Sequence, residues 1–187
     1  MEEEKVITGT NEDEVWQQIE TDLNQQEGLL RYRAVIHQQN KTIHLDIDID
    51  LGGGFEGGYA TTIFSAPITN RSGFRFAVHE ESFFDDLGKL LGMQDVEVGY
   101  PDFDDKLIVK TNDDSRVRTI FTDDYLRETL LTLADFTFEV VLPDGDADTD
   151  DSRLELIIEE GITDPVRLRQ LYRAFFSTLT LIDPFGF

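Results

Sequence analysis

The chain predicts an α+β domain, an antiparallel sheet with helices packed on one face. Residues 42–51 alternate without a fault, Ile43, Leu45, Ile47, Ile49 and Leu51 on one side and His44, Asp46, Asp48 and Asp50 on the other. A strand so patterned has one buried and one wet face, as antiparallel sheets allow. Near the other end, Val166, Leu168, Leu171, Tyr172, Phe175, Phe176 and Leu179 recur at three- and four-residue spacings, the period of an amphipathic helix. A hydrophobic share of 40% with 14 Phe in 187 residues supplies one substantial core.

In chain order, residues 1–9 read as a flexible tail, and 10–187 as a single α+β domain. Thr10-Asn11-Glu12-Asp13 fits a capping box, a hydroxyl at the cap and a carboxylate three residues on. Val15, Trp16, Ile19 and Leu23 continue it as a helix to about Gln26, ended by Gly28. Residues 29–38 and 42–51 flank Gln39-Asn40-Lys41 as a hairpin. Residues 59–66 and 74–79 are strands flanking 67–73, whose Pro, Asn and Gly are turn formers. Residues 81–91 form a short helix closed by Gly92, and 96–104 a loop. Residues 106–110 form a strand, Asn112 or Thr111 caps a helix over 113–121, and Asp123 starts another to Leu133. Residues 136–142 and 154–159 are partner strands around a polar loop. Thr163-Asp164-Pro165 then opens the last helix with a cap and a first-turn proline.

Charge bounds the function. The formal net charge is −23, which opposes nucleic acid and anionic membrane as partners by like-charge repulsion. Asp outnumbers Glu 23 to 16 and Arg outnumbers Lys 11 to 5; an Asp-rich, Lys-poor surface also suits a high-salt habitat. Cys is absent, which removes disulfides, thiolate catalysis and Cys-ligated zinc. No run of about 18 apolar residues spans a membrane, and Met1-Glu2-Glu3-Glu4-Lys5 begins no secretory signal. The expected compartment is cytoplasmic.

Four stretches invite a chemical reading. His44-x-Asp46-x-Asp48-x-Asp50 sets potential metal ligands about 7 Å apart on one wet face. Residues Arg31 and Arg33 share a face of the preceding strand with His37, so burying both apolar faces requires an odd sum of paired residue numbers. With Asn40-Lys41 as the turn, Arg31 faces Asp50, Arg33 faces Asp48 and His37 faces His44; moving the loop by two still sets Arg against Asp. Cross-strand ion pairs then account for most of the acidic ladder, and the remaining metal candidate is His37, His44 and Asp46. Asp144, Asp146 and Asp148 with Glu155 follow a calcium-loop spacing, but Thr149 stands where the turn wants Gly. Gly52-Gly53-Gly54-Phe55-Glu56-Gly57-Gly58 lacks the Lys-Ser/Thr tail of a phosphate loop and reads as a mobile turn. His79-Glu80-Glu81 reads as an acid-rich strand end. With 39 acidic residues any chosen carboxylate pair is uninformative, and no Gly-x-Ser-x-Gly is present.

The segment Leu87-Gly88-Lys89-Leu90-Leu91-Gly92-Met93-Gln94-Asp95, followed by Gly99-Tyr100-Pro101-Asp102-Phe103-Asp104 and Lys110-Thr111-Asn112-Asp113, resembles a set of uncharacterised bacterial proteins of unknown function. These carry a Gly-x-Pro-x-Phe-Asp turn and a strand ending in Lys-x-Asn-Asp, and the resemblance is strongest over about residues 74–140. It implies a recurring domain and brings no activity, cofactor or catalytic residue. Physically, Pro101 fixes a turn, Phe103 anchors it to the core, and Asp104 satisfies loop N–H groups. Lys110 and Asn112 have an alternative use, lining a pocket.

These observations assign no catalytic, cofactor-binding or metal residue. The expected function is that of a non-enzymatic, soluble binding or regulatory module whose protein or small-molecule ligand the sequence does not name. The alternative is a divalent-metal-dependent hydrolase using an acidic cluster. Oligomeric state is not legible.

Overall fold

The computed structural model describes residues 4–25, 28–53, 57–80, 92–142 and 152–185. In chain order the elements are β1 (Lys5–Gly9), α1 (Glu12–Asn24), β2 (Arg31–Gln38), β3 (Lys41–Asp50), β4 (Tyr59–Ile68), β5 (Phe76–Glu80) and β6 (Gln94–Asp95). They continue with α2 (Pro101–Asp104), β7 (Leu107–Thr111), α3 (Asp114–Ile120), α4 (Asp124–Leu130), β8 (Phe136–Val141), β9 (Ser152–Ile158) and α5 (Pro165–Ile182). Helices and a mostly antiparallel sheet make up the fold, as the patterning predicts. The expected helix over 81–91 lies outside the described residues.

The sheet runs β1-β2-β3-β4-β9-β8-β5-β7-β6. One buried row crosses it in register: Ala34, Leu45, Phe64, Leu156, Phe138, Val78 and Val109. On this row lie the helix aromatics. Phe175 of α5 meets Phe64 and Phe138 with ring centroids 5.8 and 6.1 Å apart, and Tyr172 takes the edge of Trp16 from α1 at 5.7 Å. Phe121, just past α3, meets Phe76 at 6.3 Å and Phe103 of α2 at 5.2 Å. Each fully buried ring contributes about 1.5–3 kcal/mol by removal of apolar area from water, so this band is the main support of the fold.

Four local expectations are corrected. Residues 5–9, read as tail, form β1, which pairs parallel with β2 and buries Ile7 to 3% exposure. The cap of α1 is Asn11, whose side chain accepts from the Glu14 N–H at 3.0 Å, and Glu14 rather than Asp13 reaches back, to the Thr10 N–H at 2.7 Å. Those hydrogen bonds from Thr10 hold the Glu14 carboxyl below its ordinary range. The cap of α3 is Asp113, which accepts from the Arg116 N–H at 3.0 Å, and not Asn112 or Thr111. Strand β4 runs through Pro67, opposite Arg153 of β9, and the chain then passes over β9 and β8 before β5 joins the sheet.

The hairpin β2–β3 turns through Gln39 and Asn40, with Gln39 in the left-handed region at φ 55°. Arg31 therefore faces Asp48 at 2.5 Å, and Arg33 faces Asp46 at 2.7 Å. The Arg-against-Asp expectation holds in the shifted register. Lys41 cannot belong to the turn because it is buried: its ammonium lies 3.4 Å from the Asp183 carboxylate, side chains 3% and 4% exposed, and it also donates to the Asp183 carbonyl. Asn40 donates to the Phe185 carbonyl at 2.5 Å. The hairpin tip thus clasps the chain just beyond α5.

Candidate functional site

The connection from β4 to β5 is a braced turn. Asn70 accepts from the Phe74 N–H through Oδ1 at 3.0 Å and donates to the Phe74 carbonyl through Nδ2 at 2.8 Å, while Gly73 takes φ 65°. A positive φ is where glycine is tolerated without strain. Asn112, at the end of β7, accepts from the Arg75 N–H and donates to the Gly73 carbonyl, each at 2.8 Å. Thr111 donates its hydroxyl to the Arg75 carbonyl at 2.7 Å. The Lys-x-Asn-Asp segment is therefore a fastening for residues 70–75, and its Asp113 starts α3.

That start fixes Arg116 on the first turn of α3. Its guanidinium lies over the Phe74 ring, 4.2 Å from the centroid. One Nη donates to the Ser72 hydroxyl at 2.8 Å and the other to the Ile182 carbonyl at 3.0 Å. Stacking and two hydrogen bonds to neutral oxygens hold the fork in one orientation. A cleft of about 580 Å³ opens here between the 69–72 turn, Arg116 and the stretch from Ile182 to Phe185. Arg71 stands on its wall.

The electrostatics of this cleft differ from those around the paired arginines. Arg31, Arg33, Arg127, Arg153, Arg167 and Arg169 each hold a carboxylate. Arg169, between Glu12 and Asp13, has its guanidinium held more firmly protonated by the hydrogen bond to Glu12 first and to Asp13 second. Neither Arg71 nor Arg116 has a carboxylate partner among the described residues. Among the described residues the one acid lining the cleft is Asp183, buried and paired with Lys41.

The residues singled out from sequence do not assemble. His37 lies opposite Thr42, its Nδ1 3.2 Å from the Thr42 hydroxyl, while His44 lies opposite Val35 and Ser65. Asp46 is engaged by Arg33. No group of three or more His, Asp or Glu residues among the described residues is placed to hold a metal ion. Asp144, Asp146, Asp148 and Thr149 lie outside the described residues; Glu155 is on β9, 3.0 Å from Arg153. Gly54, Phe55 and Glu56 also lie outside them. Gly58 has a packing reason: a Cβ there would stand 2.4 Å from the Asp50 carbonyl. His79 is buried in β5, with Nδ1 2.8 Å from the Glu80 carbonyl. Asp104 fulfils its structural expectation by accepting from the N–H groups of Val98, Gly99 and Tyr100 at 2.8–2.9 Å, and Phe103 is 1% exposed.

Sequence reasoning passed over Arg71 and Arg116, although a signal was present. In a chain with 39 acidic residues, residues 57–79 contain neither Asp nor Glu, and nor do 165–182. The first stretch supplies Thr69, Arg71 and Ser72 to the cleft, and the second Ile182.

The fold and the cleft define an α+β protein with a wide, mostly antiparallel sheet and a basic recess on an acidic body. Comparisons with protein-family models, with curated proteins and with solved structures give no match. Among the described residues no helix is long and apolar enough to cross a membrane.

Proposed function

We propose that this is a non-enzymatic binding or regulatory module whose ligand seats in the cleft bounded by Arg71, Arg116 and Phe185. One observation carries the reading: two guanidiniums with no carboxylate partner among the described residues share a recess, in a chain whose other arginines are largely neutralised in pairs. The recess falls within the size range of small-molecule sites, roughly 300–1,000 Å³. We further propose a cytoplasmic setting, helices confined to the sheet face that carries Phe64 and Phe138, and kinship with the uncharacterised bacterial proteins noted above. The helix-to-sheet ring contacts and the residues 99–113 support the last two.

The test is an amide NMR titration of the labelled protein with a mixed library of small charged and neutral fragments at millimolar concentration. Shifts confined to residues 69–73, Arg116 and 183–185 are the expected result; a library that leaves those amides unmoved sinks the reading. Phosphomonoesters and peptides incubated with the protein and Mg²⁺ or Mn²⁺ should show no turnover, and turnover that survives repurification would replace the binding module with the hydrolase.

A further inference from the structure

We infer that the ligand is a small organic anion, a carboxylate or phosphate ester on an apolar body, held by Arg71 and Arg116 against Pro184 and Phe185. This rests on the binding reading above and specifies the chemistry of that same cleft.

Three features lead to it. First, two of the five N–H donors of Arg116 are used, both on uncharged oxygens. It meets no carboxylate among the described residues while its plane is fixed by Phe74, the state in which a guanidinium binds a carboxylate or phosphate with little further loss of freedom. Second, Arg71 is exposed and makes no hydrogen bond or ion pair to any described residue. A second cation beside the first raises the cost of the empty recess and the gain on binding an anion. Among the described residues the only carboxylate in the lining, Asp183, is 4% exposed and faces the Lys41 ammonium.

Third, the remaining wall is apolar. Phe185 is 88% exposed, and its position is set through its own carbonyl by Asn40. An exposed ring tethered next to two cations suits a ligand that carries a flat or aliphatic body behind its charged group. The overall charge narrows the class further. At −23 the protein repels extended polyanions, which sets a small mono- or dianion apart from nucleic acid.

The experiment compares phenyl phosphate, benzoate, inorganic phosphate and the neutral isostere benzamide in amide NMR titrations of the full chain. Expected are saturable shifts at residues 69–73, Arg116 and Phe185 with phenyl phosphate or benzoate, at least about tenfold weaker with benzamide. Which of the two anions binds more tightly separates phosphate from carboxylate. Because Arg71 is exposed and unpaired, Arg71→Ala should keep the thermal midpoint and weaken anion binding by about tenfold or more. Arg116→Lys keeps the charge but loses the fork, and should weaken it several-fold. Phe185→Ala should cost affinity for benzoate and phenyl phosphate but not for inorganic phosphate.

Benzamide binding the cleft as tightly as benzoate would overturn the anion inference and leave the binding module standing. A cleft silent to all four probes but responsive to other fragments would do the same, whereas silence to every fragment would remove both. Equal affinity of inorganic phosphate and phenyl phosphate would remove the apolar body from the proposal.

Discussion

Arginine occurs in two contrasting settings in this molecule. On the β2–β3 ribbon, Arg31 and Arg33 stand across from Asp48 and Asp46, and the hairpin register cancels their charge. Around the 69–72 turn, Arg71 and Arg116 have no such partner among the described residues. Exposed pairs of the first kind contribute little stability, typically 0–1 kcal/mol. Their larger effect is to use up positive charge locally, while Arg71 and Arg116 are left as two cations in one recess. A net charge of −23 describes the surface as a whole and hides this division.

The change with the largest expected effect breaks the clasp that supports the unpaired side. Lys41→Ala strips the buried Asp183 carboxylate of its ammonium, at a cost of about 3 kcal/mol, and frees the stretch that carries Phe185. Urea unfolding reads the first and cleft amide shifts the second; a loss under about 1 kcal/mol would mean the clasp is not a closed ion pair. Next is Gly58→Ala. The added Cβ would meet the Asp50 carbonyl, backbone that cannot swing away, so about 1–3 kcal/mol is expected to be lost. The paired ladder should loosen with it, visible as faster hydrogen exchange across β3.

Tyr172 links the two halves, since its hydroxyl donates to the buried Gln38 at 2.7 Å at the end of β2. Tyr172→Phe leaves that amide unsatisfied and should cost about 1 kcal/mol. Burial raises the Tyr172 pKa, and that of Tyr32, where a nearby Asp22 carboxylate adds to the effect. A folded value above the unfolded one means the stabilisation is complete below about pH 10, the unfolded tyrosine value. It is lost as pH rises through the higher folded value. The thermal midpoint should therefore hold from neutrality to about pH 10 and then fall, with a shallower fall in Tyr172→Phe. An equal slope in the variant would mean other groups set the alkaline limit.

The smallest effects test the comparison itself. A double-mutant cycle on Arg33 and Asp46 should give a coupling below about 1 kcal/mol that shrinks in molar KCl. Arg71→Ala should shift stability by less than about 0.5 kcal/mol in either direction. Should Arg71→Ala destabilise more than Arg33→Ala, the distinction between paired and spare arginines would fail.

How much of this was legible in the sequence follows from how local each feature is. The faultless alternation of β3 and the apolar spacing of α5 announce themselves, because each is decided within its own residues. Arg against Asp across the hairpin was legible as parity, but two registers satisfied it. Asp183, far along the chain, chose between them by burying Lys41. Strand β1 carried only the short β-branched run Val6-Ile7-Thr8 as a local sign, and its place in the sheet depends on β2 as a parallel partner. The cleft is built from residues 69–72, Arg116 and 182–185, which no spacing rule connects. Its trace was compositional: the absence of acids from 57–79.

The outermost rows of the sheet are also among its shortest. On one side β1 has five residues, with the Thr8 carbonyl accepting from Gln18 at 2.9 Å, and on the other β6 has two. A sheet ending in such stubs offers another chain little to template on. Lengthening either stub with β-branched residues, rather than trimming it, is the alteration that would turn a discrete molecule into a seed for fibres.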